Sequence, residues 1–319
     1  MMWLFALAIF APHSIAATQI AWACGMLLWV ARLTLRPRAR LWRTPLDYAL
    51  LGFFILTMIS SLASYDADIS IGKLRGASLF TIVYLVAENV TSKRVLRALA
   101  FTLIASCMIN VVYVLGDRAV GRGVKVAGLS KASPLYAAGV LDGDTLLEVD
   151  NRALHNPEEL RAALDVSSGV TETTMMPARI KVYRFEATPT FDVARGRLLE
   201  GATTLDKLGL GSWSRGRDWR ASGFYGHYVT YAEALQLIAS LALGLLIALR
   251  KWRTRSALVL IAAVMGLSVA LLLTVTRASW LAFLLSASLI VLVGASRRTA
   301  LILAACALPV IFTGLFVLQ

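Results

Sequence analysis

Residues 133–164 read SPLYAAGVLDGDTLLEVDNRALHNPEELRAAL, and this is the most legible run in the chain. Asn156 stands where a helix cap belongs, Pro157 at the first helical position, and Glu158 and Glu159 in the first turn. That pattern predicts a helix from there to about Leu164. Ahead of it, residues 145–150 form an apolar strand, closed by a turn at Asn151 and Arg152. The small residues 133–140 lead into it through Leu141-Asp142-Gly143-Asp144. Further on, residues 178–184 alternate apolar and polar and predict a final strand. Residues from about Gly121 to Glu186 therefore read as one small α+β module.

The flanks are of another kind. The whole chain of 319 residues is 58% hydrophobic and 16% charged, with mean hydropathy +0.70. Soluble domains carry about a quarter charged residues, so this deficit marks a polytopic α-helical membrane protein. Apolar runs at 15–31, 45–63, 74–89, 95–115, 228–249, 256–275, 279–294 and 299–318 predict about 8 transmembrane helices. An apolar stretch, 1–11, precedes the first and is broken from it by Pro12 and His13. No Lys or Arg occurs before Arg32, which argues against a cleaved signal; a truncated or mis-started first helix is the other reading. The expected organisation is membrane helices over 1–116, the polar module over 117–195, an extracytoplasmic linker over 196–227, and further helices over 228–319.

Charge sets the orientation. Residues 117–226 hold fifteen Lys/Arg and fourteen Asp/Glu, so the net +13 lies elsewhere. It sits in every second loop: Arg32, Arg36, Arg38, Arg40 and Arg43; Lys93, Arg94 and Arg97; Arg250, Lys251, Arg253 and Arg255; Arg297 and Arg298. Basic loops face the cytoplasm. The alternate loops, with the polar block, then face outward, and no nucleic-acid face is implied. Cys24, Cys107 and Cys306 all lie in apolar runs, which fits packing rather than disulfides or a metal site.

The order of elements in 133–164 closely resembles the bacterial PDZ domain over about 65 residues. The resemblance implies that an extended peptide adds to the module as an extra strand, with backbone hydrogen bonds supplying affinity. Lys125-Val126-Ala127-Gly128-Leu129 would then be the carboxylate-binding loop and adjoining strand, with Val126, Gly128 and Leu129 against the peptide. It departs from the eukaryotic Gly-Leu-Gly-Phe pattern. A spacer that binds no peptide is the bland alternative, since fold alone does not give function.

Some cations break the positive-inside pattern. Lys73 and Arg75 open the third span at its outer end, Arg215, Arg217 and Arg220 precede the fifth, and Arg277 sits in the tight outer turn between the sixth and seventh. Ionisable groups near membrane depth are costly and usually face a cavity or partner. Guanidinium groups at an outer interface suit a phosphate or pyrophosphate, which they bind bidentately. Snorkelling to lipid headgroups is the competing account for Lys73; the short turn gives Arg277 little such freedom. Trp213, Trp219, Phe224, Tyr225, Tyr228, Tyr231 and Trp280 crowd the same level, either as an interfacial belt or as platforms for sugar rings.

RASGFYGHYVTYAEALQLI at 220–238, TVTRASWLAFLL at 274–285 and the early FAPHSIAATQIAW at 10–22 resemble the O-antigen ligase and polymerase family, in the family's order. The resemblance implies an inverting, metal-independent transfer that needs no cofactor, in the bacterial inner membrane. The donor would be a glycan on undecaprenyl pyrophosphate, and the acceptor a lipid A-core sugar, another glycan or a protein hydroxyl. Arg277 and Arg220, with Arg75 and Lys73, would hold the pyrophosphate and stabilise the leaving group. A base would deprotonate the acceptor hydroxyl. The family's essential His lies in a further outer loop after more spans, which this sequence does not include. The chain then reads as a fragment, a degenerate copy or one part of a split protein. His227 and Glu233 are the remaining candidates for the base, with Glu233 expected to pair with an Arg, and His13 and His155 read as incidental. There is no His-Glu-x-x-His and no Gly-x-Ser-Gly within a span, which argues against an intramembrane protease. A non-catalytic membrane-anchored adaptor, recruiting a peptide or protein through the module, is the alternative.

Overall fold

The computed structural model describes residues 1–34, 46–165, 176–185, 187–249 and 254–294. In chain order these form helices α1 (Met2–Phe10), α2 (Ile15–Thr34), α3 (Asp47–Leu62), α4 (Ala67–Ala77), α5 (Ile82–Asn89) and α6 (Lys93–Val120). Strand β1 (Arg122–Leu129), α7 (Pro134–Ala137), β2 (Thr145–Val149), β3 (Arg152–Ala153), α8 (Pro157–Leu164), β4 (Ala178–Tyr183), β5 (Thr190–Val193), α9 (Thr204–Leu208) and β6 (Leu210–Gly216) follow. Three long helices close the described chain: α10 (Tyr228–Ile247), α11 (Arg255–Leu273) and α12 (Arg277–Gly294). The chain divides into a helical unit, Met1–Val111 with Ser222–Gln319, and a sheet unit, Val112–Ala221.

Five helices of the described residues are long and apolar enough to cross a membrane: Ile15–Arg32, Lys93–Val120, Tyr228–Ile247, Arg255–Leu273 and Arg277–Gly294. Their outward faces are rich in exposed Leu, Ile and Val, such as Leu27, Leu237, Leu258, Leu281 and Leu285, which is the expected surface of helices solvated by lipid. Two expected spans are shorter than the sequence suggests. The second is a helix of 16 residues, α3. The third is broken: α4 ends at Ala77, a 3-10 segment covers Ser78–Thr81, and α5 has only 8 residues. Gly72, Gly76 and the charges of Lys73 and Arg75 dilute the apolar run there, so it lacks a continuous apolar cylinder. The eighth span, with the basic residues at 36–43, 250–253 and 297–298 and Cys306, lies outside the described residues.

Within the helical unit, small residues set the packing. A Cβ on Gly25 of α2 would lie 3.1 Å from Leu85 Cδ1 and 3.5 Å from Trp3, so α2 packs closely on α1 and α5. Gly266 of α11 approaches Met108 and Val111 of α6. Polar clasps add to this: Trp22 Nε1 donates to Thr81 Oγ1 at 2.9 Å, and Tyr84 Oη donates to Asp47 Oδ1 at 3.1 Å. Arg32 pairs with Glu88 at 3.4 Å, and the amino terminus donates to Asn89 Oδ1 at 3.0 Å, which marks one end of this unit as charged.

The sheet unit is antiparallel, in the order β5-β4-β2-β1-β6, with β3 pairing β2. Its core joins Val126, Leu146, Ile180 and Val182 of the sheet to Leu160 and Leu164 of α8. Period-two burial in β4 sends Ala178, Ile180 and Val182 inward. Each such fully buried Leu, Ile or Val contributes about 1.5–3 kcal/mol. The α8 cap forms as the sequence predicts: Asn156 Oδ1 accepts from the Glu159 N–H, and Glu159 Oε2 accepts from the His155 N–H at 2.8 Å. These bonds hold the Glu159 carboxyl below its ordinary range, with the His155 N–H the largest cause.

The expected boundaries of the module need correction. The strand over 178–184 is not the last, because β5 and β6 follow it. The supposed linker over 196–227 contains α9, opened by a Thr203–Asp206 capping box, and then β6, which is paired along β1 from Leu129↔Leu210 to Arg122↔Gly216. Leu208 is fully buried, and Ser133 Oγ donates to its carbonyl at 2.6 Å. The glycines at 209, 211 and 216 disguise this strand in the sequence, since glycine usually weakens one.

Candidate functional site

Two regions are candidates for a functional site. The first lies in the helical unit, at the end of α2 opposite Arg32. Pro12 and His13 form the turn between α1 and α2, and α6 runs past it. Ser106 Oγ, from α6, donates to the Ile9 carbonyl at 2.6 Å and lies 2.8 Å from His13 Nε2. One turn on, Asn110 Nδ2 donates to the Pro12 carbonyl at 2.7 Å. The segment before α10 closes on the same turn: Phe224 packs on His13 with ring centroids 5.3 Å apart, and Tyr225 Oη donates to the Ala11 carbonyl. Ala11, Pro12 and their neighbours carry the carbonyls that α1 leaves unpaired at its C-terminus, so side chains from two other segments satisfy them.

Glycine at 223 is required here. Its φ is +53°, and a Cβ would stand 2.4 Å from Asn110 Oδ1 and 2.9 Å from Tyr231 Cε2. Asn110 and Tyr231 are essentially fully buried, yet Asn110 Oδ1 and Tyr231 Oη have no hydrogen-bond partner among the described residues. Burial pushes the Tyr225 hydroxyl up to about 12. It lowers the His13 imidazole below its ordinary value, with the Ser106 contact acting the other way. In the sequence His13 reads as incidental and Tyr231 only as one of the aromatics at this level, while nothing singles out Ser106 or Asn110. His13 sits in an apolar context, and its partners are more than ninety positions away.

Arg277 heads α12, two residues after Val275, whose φ is +52°. It is exposed and has no ion-pair partner among the described residues. The unpaired N–H groups of a helix of 18 residues open at the same point, so cation and positive helix end coincide. Its level follows from packing. A Cβ on Gly244 would meet Ile290 at 4.0 Å, and one on Gly294 would meet Ile247 at 2.9 Å, so α10 and α12 run parallel. Thirteen residues back along each helix from the Gly244–Ile290 contact, Tyr231 stands level with Arg277.

The other expected site residues are dispersed. Arg220 is half-buried in the sheet unit, where it is engaged in an interaction. Lys73 and Arg75 lie on α4; their side chains are outside what the structure describes. His227 is the exposed N-cap of α10, stacked on Tyr228 at 5.4 Å without a capping bond. Glu233 makes no ion pair among the described residues. It shares the exposed face of α10 with Leu237 and Leu241, opposite the buried Ala232, Leu235 and Ala239. The expected pairing with an Arg is therefore not found among those residues.

The second region is the edge of the sheet. Val126, Gly128 and Leu129, expected to meet a peptide, lie in β1, which is paired with β2 on one side and β6 on the other. The ladder with β2 covers Val124 and Lys125 and continues through Val126 to Gly143 and Asp144, so Val126 has no free backbone group for a peptide, whereas Gly128 and Leu129 lie beyond that ladder. The open edge is β6. Val126 turns its N–H and C=O toward β2, bonding Asp144 O at 2.9 Å and Gly143 N at 3.0 Å. Trp213 stands opposite Val126, so its own N–H and C=O point to the far side of β6. No described strand pairs there, and Gly211, Ser212, Ser214 and Arg215 are exposed.

No family model matches the chain. A stretch of 44 residues, 14% of this chain, is 46% identical to the magnetosome formation protease MamE of Magnetospirillum gryphiswaldense. The match spans 6% of that protein's length, so the likeness is confined to a small part of both chains.

Proposed function

We propose that this chain is a membrane glycosyltransferase of the O-antigen ligase type. It moves a glycan from an undecaprenyl pyrophosphate carrier to a hydroxyl on lipid A-core, another glycan or a protein, at the outer face of the bacterial inner membrane. About eight spans make up its membrane part: the five long helices, α3, the α4–α5 segment and residues 299–318. A PDZ-like unit is inserted in an outer loop. The supporting observation is the position of Arg277, an exposed cation on the N-terminus of α12, level with Tyr231 and hence with the polar turn that Pro12, His13 and Gly223 build. Two of the three segments that carry the family resemblance meet in that turn. A pyrophosphate bound at Arg277 would receive guanidinium and helix N–H donors as charge builds on the leaving group.

The test is release of undecaprenyl pyrophosphate from a fluorescent undecaprenyl pyrophosphate-linked glycan by the full chain in nanodiscs, with each acceptor class offered in turn. Arg277→Ala is expected to lower the rate roughly 100- to 1,000-fold, the usual effect of removing one charge-stabilising donor. Unchanged release would exclude Arg277 from the site.

A second reading, a membrane-anchored adaptor that binds an extended peptide, is favoured by the open edge of β6, which suits strand addition. Panning the full chain against a phage-displayed peptide library checks it. Binders should survive Trp213→Ala, which keeps the outward N–H, and be lost with Trp213→Pro, which removes it. Equal binding to both variants would exclude this edge.

A further inference from the structure

We propose that the cavity between α1, α2 and α5 binds a phosphoethanolamine headgroup, a primary ammonium joined to a phosphate. The assignment does not depend on the glycan-transfer reading. The cavity holds about 120 Å³ and lies at the Arg32 end of α2. Gly25, Trp29 and Arg32 line it from α2, at spacings of four and three that put them on one helix face. Leu85, Glu88 and Asn89 line it from α5, at spacings of three and one, again from one face. A cavity of about 150 Å³ takes a benzene molecule, so this one has room for a small polar group and not only for a single water.

Hydrogen-bond accounting gives the chemistry of the occupant. Asn89 is satisfied: its Oδ1 accepts from the Met1 amino group at 3.0 Å, and its Nδ2 donates to the Leu85 carbonyl at 2.9 Å. Two buried atoms are not. Trp29 Nε1, which can only donate, and Glu88 Oε2, an acceptor, have no partner among the described residues. The Glu88 side chain is 9% exposed, and its ion-pair contact runs from Oε1 to Arg32 Nη1 at 3.4 Å. A carboxylate so buried is costly unless its oxygens are met by donors. A primary ammonium brings three N–H groups and a positive charge to Oε2. A phosphate brings acceptors to the indole N–H and to Arg32, which is 48% exposed and meets Glu88 through one nitrogen. Arg32 and the Met1 amino group are the cations of the lining and Glu88 its carboxylate, so a zwitterion finds a partner for each of its charges.

The setting favours a phospholipid as the source of the headgroup. α2 is long and apolar enough to cross a membrane, and the cavity sits at its charged end, the level at which headgroups lie. Leu28, in the lining, and its neighbour Leu27 are exposed, so acyl chains have an apolar surface to follow out of the cavity. A choline headgroup has no N–H, and a glycerol headgroup has no cation, so neither completes Glu88. An interfacial aromatic belt is the simpler account of a tryptophan at this level, but a belt indole keeps its N–H in contact with water or headgroups, whereas Trp29 Nε1 is buried.

Native mass spectrometry of the full chain, titrated with lipids of matched acyl chains, tests the assignment. Phosphatidylethanolamine should bind roughly 10- to 100-fold more tightly than phosphatidylcholine or phosphatidylglycerol, the usual weight of a hydrogen bond to a charged group. This comparison uses the native chain and so does not depend on any variant folding. Glu88→Gln, which keeps the size of the side chain, should remove the preference for phosphatidylethanolamine over phosphatidylcholine. Trp29→Phe, which keeps a ring and loses the N–H, should weaken phosphatidylethanolamine binding about tenfold. Soluble phosphoethanolamine distinguishes the sources. Displacement of the lipid only by a large excess makes the lipid the ligand, and displacement at equal concentration makes the free headgroup the ligand of the same site. Equal binding of the three lipids by the native chain, or a preference that survives Glu88→Gln, overturns the assignment and leaves the cavity to water.

Discussion

Gly123→Ala is expected to cost the sheet unit about 3 kcal/mol, a large fraction of the roughly 5–15 kcal/mol that ordinarily holds a domain folded. Gly123 lies at the irregularity in the β1–β6 pairing between Arg122 and Lys125, with φ +64°. An L side chain in that conformation costs roughly 1–2 kcal/mol. The larger cost is steric. A Cβ would stand 2.2 Å from the Leu146 carbonyl oxygen and 3.1 Å from its carbon, both backbone atoms of the neighbouring strand. Neither can swing aside as a flexible side chain would, so β1 and β2 must separate, adding about 1–3 kcal/mol of overpacking strain. Gly143→Ala is the matched control. Its φ is +87°, yet nothing lies within 4 Å of a Cβ there, so only the conformational cost applies. Hydrogen exchange of the full chain in nanodiscs measures both. Faster exchange through β1, β2 and β4 is expected in Gly123→Ala, and a much smaller change in Gly143→Ala. Equal effects would show that the contact with Leu146 does not decide the loss.

Asp144→Ala should destabilise the same unit by roughly 3–5 kcal/mol, the usual cost of stripping one partner from a buried ion pair. Asp144 has 4% of its side chain exposed and pairs with Arg184 in the bidentate manner, Nε to Oδ1 at 2.9 Å. Its Oδ2 also accepts from the Leu141 N–H at 2.8 Å. Arg184 in turn donates to the Gly139 carbonyl at 2.7 Å and lies over the Phe191 ring at 5.1 Å. One carboxylate thus ties β2, the α7 turn, the end of β4 and, through the ring, β5. Its removal leaves a guanidinium in a largely apolar niche and an amide without an acceptor. Asp144→Asn keeps an acceptor oxygen and should lose less. Denaturant unfolding of the full chain, read by proteolysis between residues 112 and 221, ranks the variants. If Asp144→Ala proves no worse than Asp144→Asn, the charge contributes little.

The sequence spoke most clearly where local signals were strong. The α8 start, with Asn156, Pro157 and Glu159, is set by contacts within a few residues, and β2 and β4 carry plain periodicity. What it hid depended on distant partners. β6 is glycine-rich and amphipathic only against β1, so its strand character emerges from pairing across about ninety residues. With β6 in place, the long open edge of the sheet lies at Trp213. His13 was hidden for the same reason: nothing near it in sequence announces Ser106 or Asn110. Arg277 was legible because a cation in so short an apolar turn is conspicuous. For Glu233, a carboxylate in a span suggests a partner, whereas its side chain is exposed and makes no ion pair among the described residues.

The pairing of Arg122 with Gly216 has a consequence for how such a chain arises. The sheet unit begins and ends at the same place: Arg118 reaches the Trp219 carbonyl, and Arg217 reaches that of Ala119. A segment whose two ends emerge side by side is a cassette. It can be spliced into a short connection, or cut out and bridged by a few residues, without pulling apart the helices on either side, and so can be gained, lost or exchanged between lineages as a single genetic event.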